Sequence, residues 1–243
     1  MVSSGFDCNL AVVIGINDYT NDIPDLQFAK ADAEAISDLL ETQHQYQVIR
    51  LTDTTDVKPT LENIKQLLEE ILPTLLNPAE STRLLFYFAG HGIALNGEDG
   101  PEGYLIPQNA QLGNVKTYLP MAKVHNALLA LPCRHFLGIL DCCFAGAFRW
   151  SSIRKLVPVE LGTIHKERFD RFIQDPAWQV ITSASYDQTA YDTFDLKDDR
   201  GQIGEYSPFA AALLDALQGC QDSLSGTISK IMEVDIFAFW AGK

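Results

Sequence analysis

The chain of 243 residues carries a net charge of −14, which disfavours a phosphate backbone or an anionic membrane as its main partner. Its length suffices for one sizeable core. A hydrophobic share of 47% beside a charged share of 21% fits a globular domain rather than a disordered or fibrous one.

Five cysteines, an odd number with no CxxC or CxxH spacing, point to reduced thiols rather than a disulfide framework or a zinc site. The N-terminal stretch MVSSGFDCNLAVVIGIN lacks the basic region and long apolar core of a signal peptide. No run approaches the ~20 apolar residues of a membrane span. A cytoplasmic protein is the expectation.

In chain order, Leu10 to Ile16 is a continuous apolar run rich in β-branched residues, which predicts a central buried strand. A polar loop follows from Asn17 to Asp22. Leu26, Ala29, Ala33, Ile36, Leu39 and Leu40 recur at helical spacing between about Asp25 and Thr42. Tyr46 to Leu51 alternates as a second strand. Thr60 to Leu72 reads as a helix bracketed by Pro59 and Pro73. Arg83 to Ala89 is a third strand, and Asn96 to Gly103 a loop rich in glycine and acid. Tyr104 to Pro107 is a short extended piece, Pro120 to Leu131 a helix, and His135 to Leu140 a fourth strand. Trp178 to Thr182 reads as a fifth strand, Phe209 to Leu217 as an amphipathic helix, and Gly226 to Lys243 as helical.

Strand, helix, strand, helix, strand implies a parallel sheet with right-handed crossovers. A single domain over 1–243 is expected. It divides into a larger part (about 1–148), a basic segment (about 149–177) and a smaller part (about 178–243). The basic segment holds Arg149, Arg154, Lys155, Lys166, Arg168 and Arg171.

Two apolar runs end in reactive groups. RLLFYFAGHG, Arg83 to Gly92, stops at His91 between two glycines, and HFLGILDCCFAGA, His135 to Ala147, stops at Asp141, Cys142 and Cys143. Open parallel sheets place their sites at such carboxyl ends. On adjacent strands the ends would lie about 5 Å apart or a small multiple of that. A thiolate nucleophile needs a base, exposure and donors for an acyl oxyanion. Cys143, His91 and the backbone N–H groups of Cys143 and Gly92 are the candidates. An inert core thiol and a structural histidine are the bland alternatives.

FAGHG and DCCFAG resemble the two signature motifs of caspase-like cysteine peptidases, most closely metacaspases and their bacterial relatives. They lie 52 residues apart from histidine to cysteine, against roughly 50 in the caspase pattern. GINDY, the L-x-x-A-x-x-D-A segment from Leu26 to Ala33, YLIP and TSASYDQTAYD also resemble that family, so the likeness covers most of residues 10–220. It implies a three-layer α/β/α sandwich around a mostly parallel sheet of about six strands. It also implies Cys143 as nucleophile, His91 as general base and acid, and Gly92 and Cys143 as oxyanion donors. Cys142 takes the variable position and reads as structural. No third member of a triad stands out.

Animal caspases carry QACxG at the cysteine motif, so Asp141 points to the metacaspase branch. There the resemblance implies an S1 pocket for Arg or Lys at P1, with Asp141, Asp32 and Ala89 lining it. Paired carboxylates give a guanidinium charge-assisted, bidentate bonds. Asp141 as a cap of the following turn and Asp32 on a solvated helix face stay open as alternatives. The resemblance also raises self-cleavage within the basic segment 149–171, with a mobile surface loop as the alternative. No cofactor is expected. Calcium activation occurs among metacaspases, yet the acidic residues Glu98, Asp99, Glu102, Asp192, Asp195, Asp198 and Asp199 lack calcium-loop spacing, and Trp150 stands where some relatives carry a metal-site Asp. The expected partners are a protein or peptide substrate and a regulatory protein or sensor domain, not nucleic acid or membrane.

A catalytically silent caspase-like scaffold is the alternative function. The retained Cys143 and His91 argue against it. A dinucleotide-binding domain is weaker still, since the first strand-to-helix loop has only Gly15 and no G-x-G-x-x-G.

Overall fold

The structure is a computed structural model, and it describes residues 6–76, 81–97, 100–143, 177–183 and 204–219. Five strands form one wholly parallel sheet: β1 (Cys8–Gly15), β2 (Gln47–Thr52), β3 (Thr82–Ala89), β7 (His135–Asp141) and β8 (Ala177–Thr182). Their order is β2-β1-β3-β7-β8, five strands among the described residues. The chain moves outward in one direction from β1 to β2 and then in the other from β3 onward. The strand order therefore reverses beside β1, where α/β sheets place crevices.

The central strands β1 and β3 are mostly apolar because both sheet faces are covered there. Leu10, Val12 and Ile14 of β1 and Leu84, Phe86 and Phe88 of β3 pack one face. Against them lie α2 (Leu61–Gln66), a π turn (Leu67–Ile71), α3 (Leu72–Leu75) and α4 (Met121–Leu129). Ala11, Val13, Leu85, Tyr87 and Ile139 pack the other face, under α1 (Ala29–His44) and the helix Pro208–Gln218, here α5. This is the expected three-layer sandwich. Among the described residues no helix is long and apolar enough to cross a membrane.

Three local expectations need correcting. The first long helix starts at Ala29 rather than near Asp25. Residues 25–28 are used to close the preceding loop: Asp25 Oδ1 accepts the Tyr19 N–H at 2.8 Å, and the Leu26 N–H reaches Asn17 O at 3.0 Å. The helix from Leu61 does not stop at Pro73. It runs to Leu75 through the π turn. A proline inside a helix lacks the N–H and crowds the carbonyl four residues back, and the wider π register is a way to accommodate both.

The third correction is the glycine-rich loop. The strands β4 (Gly92–Gly97) and β5 (Gly100–Leu105) pair antiparallel and are joined by β6 (Leu119–Pro120) into a separate antiparallel sheet.

Close approach of α1 to β1 depends on Gly15. A Cβ there would collide with the Ala29 carbonyl oxygen and the Ala33 Cβ. Gly15→Ala is expected to lower the melting temperature by about 3–10 °C through overpacking. Calorimetry checks this, and an unchanged melting temperature would contradict the packing.

Candidate active site

Ala89 of β3 pairs with Asp141 of β7, and Gly15 of β1 pairs with Ala89. Three neighbouring strands thus end level with one another. His91 and Cys143 each stand two residues beyond the Ala89–Asp141 pair. They line one cavity of ≈ 100 Å³ together with Asp32, Ala89, Asp141 and Cys142. A larger hollow of ≈ 490 Å³ between α1 and α5, lined by residues such as Asp38, Thr42 and Asp215, contains neither a cysteine nor a histidine. Of these two cavities, the smaller one brings the cysteine, histidine and acidic side chains together.

His91 is held from three directions. Its backbone N–H donates to the Tyr19 hydroxyl at 2.8 Å, and its carbonyl accepts the Ile106 N–H at 3.0 Å. Its ring lies against the Tyr19 ring, with centroids 4.8 Å apart. The imidazole Nε2 is 2.8 Å from Pro24 O. A carbonyl only accepts, so Nε2 carries the hydrogen and Nδ1 is the basic nitrogen of the neutral ring. The loop delivering Tyr19 and Pro24 turns through Asn21 and Asp22, both left-handed (φ 59° and 63°), a conformation these two residue types tolerate better than most.

The two adjacent thiols differ in environment. Cys142 is 1% exposed. Burial pushes its thiol well above the ordinary range, and the Asp141 and Cys143 charges add to that. Cys143 is only half-buried. Cys133 is pushed up to about 11 by burial. Of the two thiols in this cavity, Cys143 is therefore the more accessible. Gly92 lies against it: a Cβ there would collide with the Cys143 carbonyl oxygen and meet Cys142 Sγ at 3.1 Å. Only glycine lets the two strand ends approach this closely.

Asp32 and Asp141 also come together. Asp32 is 1% exposed, so the solvated-face alternative for it falls. Asp141 Oδ2 accepts from the Ser207 hydroxyl at 3.1 Å, and Asp32 Oδ1 accepts from the Ser207 N–H at 3.1 Å. Beneath them the fully buried Tyr87 phenol is pushed well above its ordinary range, first by burial and then by the charges of Asp141 and Asp32. Its hydroxyl has no hydrogen-bond partner among the described residues. Ala89 is buried in the same wall.

Sequence reasoning missed three groups. Pro24 contributes only a backbone atom, which leaves no side-chain signature. Tyr19 stands in GINDY but carries no chemical signal by itself. Ser207 had one: it precedes Pro208 and a helical pattern, an N-cap signature. The basic segment 149–171 and the acidic residues 98–99 and 192–199 lie outside the described residues. Among the described residues, no three His, Cys, Asp or Glu side chains are grouped to hold a metal ion.

The family model of the caspase domain (peptidase family C14) matches residues 8–234. The chain belongs to the caspase-domain family. Membership of this cysteine-peptidase family implies protein substrates. The caspase-domain fold is also matched by the crystal structure of protein GSU0716 from Geobacter sulfurreducens, at a TM-score of 0.59 and 14% identity. That likeness covers 93% of this chain and 88% of the other, and at such identity it speaks for the fold alone. No curated protein matches the sequence.

Proposed function

We propose that this caspase domain is a cysteine endopeptidase that cleaves after Arg or Lys. The observation that carries the reading is the shared cavity of Cys143, His91, Asp32 and Asp141 at level strand ends. The Cys143 thiol gives its proton to His91 and attacks the scissile carbonyl carbon. The oxyanion is met by the Gly92 and Cys143 N–H groups. His91 then protonates the leaving amine, and water hydrolyses the thioester. Pro24 O holds the imidazole in the tautomer this requires, a role a carboxylate fills in other triads.

The two buried carboxylates favour a cationic P1 side chain, since an acidic one would meet like charge in a small cavity. The same preference makes the basic segment 149–171 a site of self-cleavage. Matched peptides differing only at P1 test the reading. Arg or Lys is expected to be turned over at least about 100-fold faster than Asp, and Asp141→Asn to cost about 10²-fold in kcat/KM on the Arg peptide. Faster turnover of the Asp peptide would defeat it.

A further inference from the structure

The end of β2 meets the loop that follows β1. Gly15 pairs with Thr52 and with Ala89, so Asp53 emerges at the same sheet edge that carries His91 and Cys143. Asp53 Oδ2 accepts the Asn17 N–H at 2.7 Å, and Asp53 Oδ1 accepts from Gln108 Nε2 at 3.0 Å. Gln108 follows shortly after β5. Its side-chain nitrogen carries a second hydrogen, and Nε2 also reaches Asp18 O at 3.1 Å. Its backbone carbonyl accepts the Thr20 N–H at 3.0 Å and the Thr20 hydroxyl at 3.1 Å. Asp53 and Gln108 thus fasten residues 17–20 from two directions.

That loop is the one that reaches His91. The Tyr19 hydroxyl accepts the His91 N–H, and Pro24 O accepts from Nε2. The third hold on His91 comes from Ile106, on the segment that runs into Gln108. All three holds therefore trace back to the junction of Asp53 and Gln108. Neither of these two residues lines the cavity.

We propose that Asp53 and Gln108 are positioning residues for His91: their clamp on the loop sets where Tyr19 and Pro24 stand, and through them the tautomer and the aim of the imidazole. The proposal rests on the Cys143–His91 reading. A base must sit within hydrogen-bond reach of the proton it takes, and a misplacement of about 1 Å caused far from the chemistry can cost about 10²-fold in rate. Asp53 offers two carboxylate oxygens, and both are in use. Asparagine at that position would offer one oxygen and turn its NH2 group toward a donor. Methionine at position 108 would keep the length of the glutamine and lose both donors. The backbone bonds from Thr20 would remain in either variant.

The test uses the full chain carrying Asp53→Asn, Gln108→Met or both. Hydrolysis of an Arg peptide is followed well below each melting temperature. The imidazole nitrogens are read by NMR in protein containing isotope-labelled histidine, with His91 assigned from the signals lost in His91→Gln. The neutral wild-type ring is expected to carry its hydrogen on Nε2. Each single variant is expected to shift His91 toward a mixture of tautomers and to lower kcat at least about tenfold, with KM changed by less than about threefold. Because the two residues act as one clamp, the double variant is expected to stay within about threefold of the worse single variant.

A merely structural role would lower the melting temperature and leave kcat and the His91 signals of the folded protein as in wild type, and that result overturns the proposal. So does a fall in kcat with unchanged His91 signals, or a pair of losses that simply multiply in the double variant. A folded wild type that hydrolyses no peptide would overturn the peptidase reading. The imidazole signals need no turnover and decide on the clamp separately.

Discussion

Cys143→Ala is expected to abolish peptide hydrolysis, with a fall of at least about 10⁴-fold in kcat, and to leave the melting temperature within about 2 °C of wild type. In the proposed mechanism the Cys143 thiol forms the acyl intermediate. Cys142 cannot replace it. That side chain is buried, its thiol is held protonated by burial and by the neighbouring negative charge, and it packs beneath Gly92. Cys142→Ala is accordingly expected to cost stability through a small cavity while hydrolysis persists. Parallel assays of the two variants on an Arg peptide separate the roles. Loss of hydrolysis in Cys142→Ala with retention in Cys143→Ala would reverse the assignment. Cys143 is half-buried, so its truncation removes little packing, and a folded, inactive protein is the expected product.

The second large effect is expected at Gly92. Gly92→Ala puts a Cβ into the Cys143 carbonyl oxygen and 3.1 Å from Cys142 Sγ. The backbone cannot yield cheaply, because Gly92 also opens β4 and pairs with Leu105, and His91 just before it is tied to Tyr19 and Ile106. The two strand ends must move apart, and both proposed oxyanion donors lie on those ends. Loss of one such donor costs about 10²–10³ in kcat, so kcat is expected to fall by at least about 10²-fold while KM changes by less than about threefold. A modest loss of thermal stability should accompany it. Steady-state kinetics on the Arg peptide decides. A variant with full kcat would mean that the strand ends do not form the oxyanion site.

What the sequence reveals follows the range of the interactions involved. β1, β3 and β7 are legible because a strand covered on both faces is apolar without interruption, and each stops where its side chains reach the open edge. His91 and Cys143 are legible for the same reason: they are reactive residues placed just after such stops. The start of α1 is not legible. The pattern from Leu26 onward is helical, but Asp25 and Leu26 are drawn into bonds with Tyr19 and Asn17.

The helix through Pro73 defies the usual stop signal because the π turn accommodates the proline. The β4–β5 pairing is hidden behind a glycine-rich, acidic composition, and the contact tying Ile106 to His91 fixes its position instead. Pro24 acts through a carbonyl that every residue type possesses. Asp32 on a helix pattern resembles a solvated acid, and only the arrival of Ser207 from 175 residues away shows why it is buried. Each missed feature depends on a partner remote in sequence or on a backbone atom.

Labelling by a peptidyl-arginine fluoromethyl ketone, read by intact mass and peptide mapping, tests the central claim most directly. This reagent requires both a thiolate and a seated basic P1 side chain. One adduct per native chain is expected, on Cys143, absent in Cys143→Ala and in denaturant, and outcompeted by the Arg peptide. Labelling that falls on Cys8 or Cys133, or that proceeds equally in denatured protein, would contradict it.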